Sequence, residues 1–262
     1  MPKTILITGA STGFGRLTAE KLHAKGHTVF GTSRNPGKHQ TDFTMLPMDV
    51  RDGNSVNAAM QQLLSSVDRL DVIVNNAGIT SLGPVEEHSM EDVQNIFETN
   101  LYGVHRVLKA TLPQLRKQKS GRIINVTSLA GLVGTPNMGL YSATKHALEG
   151  YTKSIAYELE PFGIEIFLVK PGEYKTEVIN NASRSSDNID DYKLFKEQVA
   201  KAFDPNKPVD APGPVADLII KLIEDKKPKM HNRIGPFANT IPLMNLFPGT
   251  LKKVTKKAYG IE

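Results

Sequence analysis

The sequence contains no cysteine among its 262 residues. A disulfide framework, a thiolate nucleophile and a cysteine metal cluster are therefore excluded. The chain also lacks a run of about 18 apolar residues, so no segment is predicted to span a membrane. Its first residues, MPKTILITGA, lack the long apolar segment and cleavage site of a signal peptide. Together with the missing disulfides, this favours a cytoplasmic protein.

The histidines show no metal-ligand motif. They are His23, His27, His39, His88, His105, His146 and His231. Because their spacing matches no metal site, we interpret them as surface or core residues and expect no metal.

The net charge is +5 and the pI is about 9.2, and the positive charges are dispersed along the chain. Such a modest basic excess is consistent with an anionic ligand, and nucleic acid is not expected as a partner. The densest basic cluster is LKKVTKK, residues 251–257. We interpret it as a solvated tail, and contact with an anionic surface or partner stays open as the alternative.

Short β-branched runs alternate with longer helical patterns along the chain. Strands are predicted at 3–9, 27–33, 44–50, 70–78, 121–128 and 164–172, and helices at 13–25, 52–66, 89–117, 139–160 and 212–226. Apolar strands that alternate with helices indicate a parallel sheet covered on both faces. The prediction is a doubly wound α/β fold of the Rossmann type, with three layers α/β/α.

No linker divides the chain, so one dinucleotide-binding and catalytic domain is predicted over residues 1–262. The polar stretch 183–208 is predicted to be a mobile insertion within a substrate lid at 174–210. Residues 228–262 are predicted to form an irregular C-terminal tail.

The first predicted strand is followed by TGASTGFG, residues 8–15. Gly9 permits a tight turn, and Gly13 and Gly15 let the helix start approach a phosphate and the sheet. Ser11 and Thr12 add hydroxyl donors, and a helix N-terminus favours an anion. Because a strand precedes the glycines and a helix follows them, a dinucleotide phosphate site is favoured over a turn without a ligand.

The second predicted strand ends in Ser33 and Arg34, with no carboxylate before Asp42. A domain that prefers NAD usually has an acid here, which binds the ribose 2′-hydroxyl. Arg34 would instead pair with a 2′-phosphate through charge-assisted hydrogen bonds. NADP is therefore predicted rather than NAD. The alternative is that Arg34 is merely exposed, or stacks on adenine in an NAD site.

The next two strand ends also carry polar residues. Asp49 could accept a hydrogen bond from an adenine amino group, or it could cap the following helix, for which Asp52 is a competing cap. After the fourth strand, NNAG places Asn75 and Asn76 where they are costly to bury unpaired. Its last two residues leave room for a flat group, and the alternative is an asparagine-stabilised turn.

Tyr141 and Lys145 stand four positions apart in YSATKHALEG, so on a helix they project from one face. A free tyrosine has a pKa of about 10, poorly matched to proton transfer near neutrality. One positive charge at about 4 Å, at an effective dielectric near 20, supplies the roughly 4 kcal/mol that lowers this pKa to about 7. Lys145 is therefore predicted to lower the pKa of Tyr141.

Six segments together resemble the motif set of the short-chain dehydrogenase/reductase family. They are TGASTGFG, NNAG, ETNLYG with Asn100, NVTS with Ser128, YSATK and KPGEYKT. They occur in the order of that family and cover about residues 3–180. The TSRNP and GFGR context is most similar to NADP-preferring members that handle carbonyls, retinoids or steroids.

The resemblance implies a role for each matching residue. Tyr141 would be the catalytic acid/base, with Lys145 as its activator and ribose clamp. Ser128 would hold the substrate oxygen, and Asn100 would support a water near Lys145. Cofactor contacts are implied or predicted for Gly9, Ser11, Thr12, Gly13, Phe14, Gly15, Ser33, Arg34, Asp49, Val50, Asn76, Ala77, Gly78, Thr99, Tyr141, Lys145, Pro171, Gly172, Tyr174 and Thr176.

The resemblance further implies an NADP-dependent oxidoreductase that moves a hydride between the nicotinamide and a carbonyl or secondary alcohol. The substrate is expected to be a small hydrophobic molecule. Family members are commonly homodimers or homotetramers, through helices like 89–117 and 139–160, and a homo-oligomer is expected here. Membrane contact is not expected.

Three other functions remain as alternatives. A non-catalytic NADP(H) sensor or scaffold on the same fold would explain the glycine loop, but it would not need Ser128, Tyr141 and Lys145 together. A nucleotide-sugar epimerase or dehydratase usually has a longer C-terminal substrate domain and a different glycine spacing, and neither feature is expected from this sequence. A peripheral membrane enzyme would explain the apolar and basic tail GPFANTIPLMNLFPGTLKK.

Overall fold

Nine short strands are present in this computed structural model, which describes residues 1–174, 182–202 and 210–261. They are β1 (Thr4–Ile7), β2 (Thr28–Ser33), β3 (Thr44–Pro47), β4 (Val72–Asn75), β5 (Ser81–Leu82), β6 (Gly121–Val126), β7 (Ile164–Pro171), β8 (Ser183–Arg184) and β9 (His231–Ile234). Strands β5 and β8 pair only with each other. The other seven strands form one parallel sheet in the order β3-β2-β1-β4-β6-β7-β9.

Helices follow most of the strands. They are α1 (Gly13–Ala24), α2 (Gly53–Ser66), α3 (Met90–Phe97), α4 (Gly103–Gln118), α5 (Gly139–Leu159), α6 (Lys193–Ala202), α7 (Gly213–Glu224), α8 (Ile241–Met244) and α9 (Pro248–Tyr259). Among the described residues, none of these helices is long and apolar enough to cross a membrane.

Apolar side chains cover both faces of the sheet. Along β1, Leu6 belongs to the core cluster that includes α2, α4 and α5, whereas Ile5 and Ile7 belong to the cluster that includes α1 and α7. Successive strand residues point to opposite faces, so a strand between two helical layers needs apolar residues at every position. This confirms the predicted three-layer α/β/α fold.

The order of the strands reverses at β1. The chain places β2 and β3 on one side of β1, and then β4, β6, β7 and β9 on the other side. Open parallel sheets bind ligands in the crevice at the carboxyl ends of the strands beside such a switch point. The fold therefore predicts a ligand site at the loops that follow β1 and β4.

The C-terminal part of the chain is more regular than predicted. The expected irregular tail contains β9, which extends the sheet beside β7, and the helices α8 and α9. The polar stretch 183–208 contains β8 and α6 within its described part. The sequence of β9, HNRI, has one apolar residue, so it carries no apolar pattern, and its pairing with β7 determines its structure.

The helix predicted over 89–117 is interrupted. Its middle is the π-helical segment Glu98–Tyr102, which separates α3 from α4 and contains Asn100. Such π segments are rare and occur frequently at functional sites. The interruption allows a buried asparagine side chain to contact the neighbouring loop.

Candidate active site

A cleft of about 690 Å³ lies at the carboxyl ends of the strands around β1 and β4. The predicted residues that line it are Gly9, Ser11, Thr12, Gly13, Phe14, Ser33, Arg34, Asp49, Val50, Asn76, Ala77, Gly78, Thr99, Tyr141 and Lys145. The lining does not include the predicted residues Gly15, Asn100, Ser128, Pro171, Gly172 and Tyr174. Thr176 lies outside the described residues.

The glycine loop brings the end of β1 against the loop after β4. Gly9 has φ +65°, and a Cβ atom there would lie 2.8 Å from Ala77 Cα. A Cβ on Gly15 would lie 2.4 Å from the Gly9 carbonyl oxygen. Both positions therefore exclude any side chain. The open floor that results can accept a phosphate group close to the backbone at the start of α1.

Hydrogen bonds fix the loop after β4 to the end of β1. The Thr8 hydroxyl accepts from the backbone N–H groups of Asn76 and Ala77 at 3.0 and 2.9 Å. The Asn76 side-chain amide donates to the carbonyl oxygens of Thr8 and Gly9, both at 3.0 Å. Sequence analysis missed Thr8, although a threonine directly before a glycine turn can make such bonds.

One end of the cleft is rich in positive charge. Arg34, Lys38 and Arg51 all line it. Arg51 pairs with Asp49 at 2.7 Å, and its hydrogen bond is the largest cause that holds the pKa of this carboxyl below its usual value. Sequence analysis missed Lys38 and Arg51. The only sequence feature that could have indicated them is a basic residue soon after the end of a strand.

The two candidate helix caps are now distinguished. Asp52 is the N-cap of α2, and its side chain accepts a hydrogen bond from Asn54 N at 2.8 Å. Asp49 instead lies in the lining of the cleft. The structure is therefore consistent with Asp49 as a ligand-facing residue, and the cap is assigned to Asp52.

Ser128, Tyr141 and Lys145 meet at the end of β6. The Ser128 hydroxyl lies close enough to the Tyr141 phenol to lower the pKa of that phenol. The Lys145 ammonium lies 5.6 Å from the centroid of the Tyr141 ring and donates to the Val126 carbonyl oxygen at 3.0 Å. A hydroxyl, a phenol and a buried ammonium are thereby placed together, as the four-residue helical spacing predicts.

The pKa of Tyr141 moves in the direction opposite to the prediction. Burial raises the pKa of this phenol, and the Ser128 hydroxyl offsets only part of the rise. Burial also lowers the pKa of Lys145, to about 8, and the charge of Glu149 opposes this shift. In this structure burial therefore raises the pKa of Tyr141, whereas the sequence analysis expects a lowered pKa.

Asn100 ties the loop after β4 to helix α5. Its Oδ1 atom accepts from Ile79 N at 2.9 Å. Its Nδ2 atom donates to the Ile79 carbonyl oxygen at 2.9 Å and to the Thr144 hydroxyl at 3.0 Å. These contacts hold the two segments that form the floor and one wall of the cleft. The implied role of Asn100 beside a water stays a prediction.

A buried carboxylate lies one helical turn beyond Lys145. Glu149 Oε1 accepts from the Thr127 hydroxyl at 2.8 Å, and Oε2 pairs with the Lys170 ammonium. The side chains of Glu149 and Lys170 are only 3% and 2% exposed. The pair joins α5 to the ends of β6 and β7, directly beneath the site. Sequence analysis missed it, because Lys170 follows an apolar run with no partner nearby in sequence.

Beside the cleft, the loop after β7 packs against the glycine loop. Gly172 N donates to the Ile234 carbonyl oxygen at 2.8 Å, so β9 supports this loop. Tyr174 is buried and packs edge-on against Phe14, with the ring centroids 5.9 Å apart. These contacts bring the glycine loop and the β7 loop together, as expected if both border one cofactor.

The described part of the predicted lid is anchored by a buried acid. Glu87 is fully buried, and its Oε1 atom accepts from Ile189 N at 2.8 Å and from the Lys196 ammonium at 2.6 Å. Its Oε2 atom accepts from the Ser185 hydroxyl at 3.0 Å. One carboxylate thus fixes three points of the segment 182–202.

A second depression, of about 590 Å³, lies between α1 and α7. Four of its charged residues form pairs, Lys21 with Asp217 at 2.6 Å and Lys25 with Glu224 at 2.9 Å. It lies away from the switch point of the sheet. The chemistry is therefore assigned to the larger cleft.

Comparison with known proteins gives a consistent result. The model of the family described as short chain dehydrogenase matches residues 3–187. The chain is 36% identical over 250 residues to the 3-ketodihydrosphingosine reductase of Bacteroides thetaiotaomicron, and the alignment covers 92% of this chain and 90% of that protein.

Solved structures show the same fold along almost the whole chain. A short-chain dehydrogenase from Streptomyces avermitilis superposes with a TM-score of 0.82 at 30% identity, over 98% of this chain and 97% of that one. The structure of ElxO with NADP bound superposes with a TM-score of 0.73 at 28% identity, over 91% and 99% of the two chains.

Proposed function

The chain belongs to the short-chain dehydrogenase family and is an oxidoreductase that acts on CH–OH and C=O groups, and within that activity we propose that it reduces an apolar carbonyl compound with NADPH. Tyr141 is the proton donor, Ser128 holds the substrate oxygen, and Lys145 stabilises the phenolate. The observation that carries the proposal is the convergence of these three side chains beside the cleft.

The residues present fit a nicotinamide dinucleotide. The glycine loop offers a floor that a Cβ atom would fill, and the start of α1 favours a phosphate there. The cationic end of the cleft suits a second phosphate. When bound, NADPH supplies the hydride, and the residues of this chain position the carbonyl and move the proton.

The raised pKa of Tyr141 supports the reductive direction. A phenol with a raised pKa keeps its proton across the neutral range, so Tyr141 can donate from its Oη atom as negative charge develops on the substrate oxygen. Ser128 Oγ gives that oxygen a second hydrogen bond. The phenolate that remains is stabilised by the Lys145 ammonium, which the Val126 carbonyl oxygen holds in place.

The proposed preference for NADPH rests on the cations of the cleft. Arg34, Lys38 and Arg51 can surround a ribose 2′-phosphate. Among the described residues that line the cleft, Asp49 is the one carboxylate, and it is already paired with Arg51. The similar protein ElxO is described with NADP bound. An additional phosphate therefore finds positive charge where an NAD-specific domain would present an acid.

Replacing Arg34 tests the cofactor preference. The wild type is expected to show a higher kcat/KM with NADPH than with NADH. Arg34→Ala should lower kcat/KM for NADPH by about 10- to 100-fold, the effect of losing charge-assisted hydrogen bonds, and leave the value for NADH nearly unchanged. Arg116→Ala, at an exposed position on α4, is the control. A wild type that prefers NADH, or an equal loss with both cofactors, would contradict the proposal.

The proposed substrate is apolar and carries a ketone or aldehyde. The similar reductase of B. thetaiotaomicron is named for a 3-keto compound with a sphingosine backbone. The segments that follow β7, residues 182–202 and the chain from β9 onward, are proposed to shape the substrate side. Their apolar residues, with Tyr174 in the β7 loop, suit a hydrocarbon better than a sugar.

A screen distinguishes an enzyme from a sensor. Purified protein is expected to oxidise NADPH with at least one member of a panel of long-chain ketones, aldehydes, retinoids and steroid ketones, and to run in reverse with the matching alcohol and NADP⁺. Saturable NADPH binding without turnover across both panels would favour a non-catalytic NADP(H) sensor. That alternative needs the cleft, but it gives no reason for a serine and a tyrosine to lie together beside a buried ammonium.

A further inference from the structure

The net positive charge of the chain comes from one end, where basic residues occur without acidic ones. Residues 226–261 contain eight of the 32 Lys and Arg residues and none of the 27 Asp and Glu residues. The rest of the chain is therefore net negative, although the whole chain carries +5. A charge separation of this kind orients a protein in front of an anionic surface.

The same end exposes large apolar side chains. Phe237, Leu243, Leu246 and Phe247 are 68%, 62%, 71% and 59% exposed. The last three are spaced at i, i+3 and i+4 along α8 and the turn that follows it, so they share one side of that turn.

Helix α9 continues this surface with charge beside it. Val254, within α9, is 44% exposed. Lys253 and Lys257 are exposed on the same side of α9, and Lys252 is exposed at its margin. We define the C-terminal face by its apolar and cationic residues, which are Phe237, Leu243, Leu246, Phe247, Val254, Lys252, Lys253 and Lys257.

The C-terminal face lies next to the substrate side of the active site. Asn245, within the apolar part, donates from its side chain to the Leu132 carbonyl oxygen at 2.8 Å, in the loop that follows Ser128. At the far end of α9, burial and the charge of Glu173, in the β7 loop, raise the pKa of Tyr259 to about 12. The apolar part of the face therefore contacts a loop that borders the catalytic residues, and the charge of Glu173 acts on the end of α9.

We propose that the C-terminal face docks on an anionic lipid bilayer, with its apolar side chains in the acyl boundary and its lysines at the lipid phosphates. The sequence alone favoured a solvated tail, and the exposed apolar residues beside the lysines change that interpretation. An interfacial segment needs both a basic flank and an apolar side that enters the headgroup region. An apolar carbonyl compound dissolved in the bilayer would then lie close to the active site.

Two other occupants fit the face less well. A second copy of the chain, packed through a two-fold axis, would place this surface against itself. Since the surface carries lysines and residues 226–261 contain no acid, such a contact would set like charges opposite each other. A nucleic acid would satisfy the lysines, but it would leave the exposed leucine and phenylalanine side chains without an apolar partner.

Vesicle co-sedimentation tests the proposal without any substrate, so its outcome is independent of the proposed reaction. The full chain should bind vesicles of phosphatidylcholine mixed with phosphatidylglycerol, and should bind pure phosphatidylcholine vesicles much more weakly. Binding should weaken as salt is raised, because the charge term is screened. Absence of binding to the anionic vesicles would overturn the proposal.

Matched variants locate the binding surface. Lys252→Gln/Lys253→Gln/Lys257→Gln should weaken binding on the order of 10²-fold, since each lysine near an anionic membrane contributes roughly fivefold. The control is Lys109→Gln/Arg116→Gln/Lys117→Gln, three exposed cations on α4, and it should change binding by less than about threefold, because charges remote from a contact contribute little to it.

A second pair of variants tests the apolar side chains of the C-terminal face. Leu246→Ser/Phe247→Ser should weaken vesicle binding by roughly tenfold or more, because both side chains would leave the acyl boundary. Met90→Ser/Tyr157→Ser, at positions that are 72% and 79% exposed, should have little effect. Thermal unfolding of each variant shows whether the fold is intact.

Two other results would also overturn the proposal. The first is a dimer of the wild type that Leu246→Ser/Phe247→Ser converts to a monomer, which would assign the face to a second copy. The second is binding of a DNA duplex that competes with the vesicles and depends on the lysines but not on Leu246 and Phe247, which would assign it to nucleic acid.

Discussion

Tyr141→Phe is expected to lower kcat for carbonyl reduction by at least about 10²-fold, the usual size of a general acid contribution. The change removes the hydroxyl that donates the proton and leaves the ring in place. The affinity for NADPH should change little, because most of the cleft lining comes from other segments. The measurement is steady-state turnover together with a fluorescence titration of NADPH.

A control on the same helix separates chemistry from structure. Tyr157→Phe removes a phenol hydroxyl from α5 at a position that is 79% exposed, and its turnover should equal that of the wild type. If Tyr141→Phe retained wild-type turnover, another group would have to supply the proton, and the assignment of Tyr141 would be lost.

Glu149→Ala is expected to lower the free energy of unfolding by about 3–5 kcal/mol, the cost of removing one partner from a buried ion pair. The change leaves the Lys170 ammonium, which is 2% exposed, without its carboxylate and beside the charges of Lys153 and Arg233. It also removes the acceptor of the Thr127 hydroxyl. Equilibrium unfolding in urea gives the difference directly.

Two further variants show whether the loss of unfolding free energy comes from leaving a buried charge without its partner. Glu149→Leu/Lys170→Met replaces both charges by apolar groups of similar volume and should recover most of the lost stability. Lys21→Ala, which breaks an exposed ion pair with Asp217, should cost no more than about 1 kcal/mol. Equal losses for Glu149→Ala and Lys21→Ala would show that the buried pair has no special contribution.

The fold was predictable where a strand contains a largely apolar run between turn residues. The strand runs from residues 3–9 to 164–172 all correspond to observed strands of the central sheet, with shorter bounds. Strand β9 was not predictable, because its only reason to be extended is pairing with β7, a contact between segments far apart in sequence. The π-helical segment around Asn100 was missed for a similar reason, since the asparagine is buried by contacts with Ile79 and Thr144.

The site was predictable at the level of residue types and not at the level of electrostatics. The helical spacing places Tyr141 and Lys145 together, and the strand ends place Arg34 and Asp49 at the cleft. The direction of the pKa shift of Tyr141 depends on burial, which comes from segments that pack around it after folding. The buried ion pair of Glu149 could not be predicted from the sequence either, because its partner Lys170 lies on another element.

The central claim is that Tyr141, protonated and beside a protonated Lys145, donates the proton in the NADPH-dependent reduction of a carbonyl group. The most direct test is kcat/KM for NADPH-dependent reduction of an apolar ketone from neutral to alkaline pH, because kcat/KM reports the pKa values of the free enzyme. Burial lowers the pKa of Lys145 to about 8, so its charge is present below that pH and is lost above it. The account predicts a kcat/KM that falls as pH rises through about 8. A value that rises through this range, or stays flat up to the ordinary pKa of tyrosine, would contradict it.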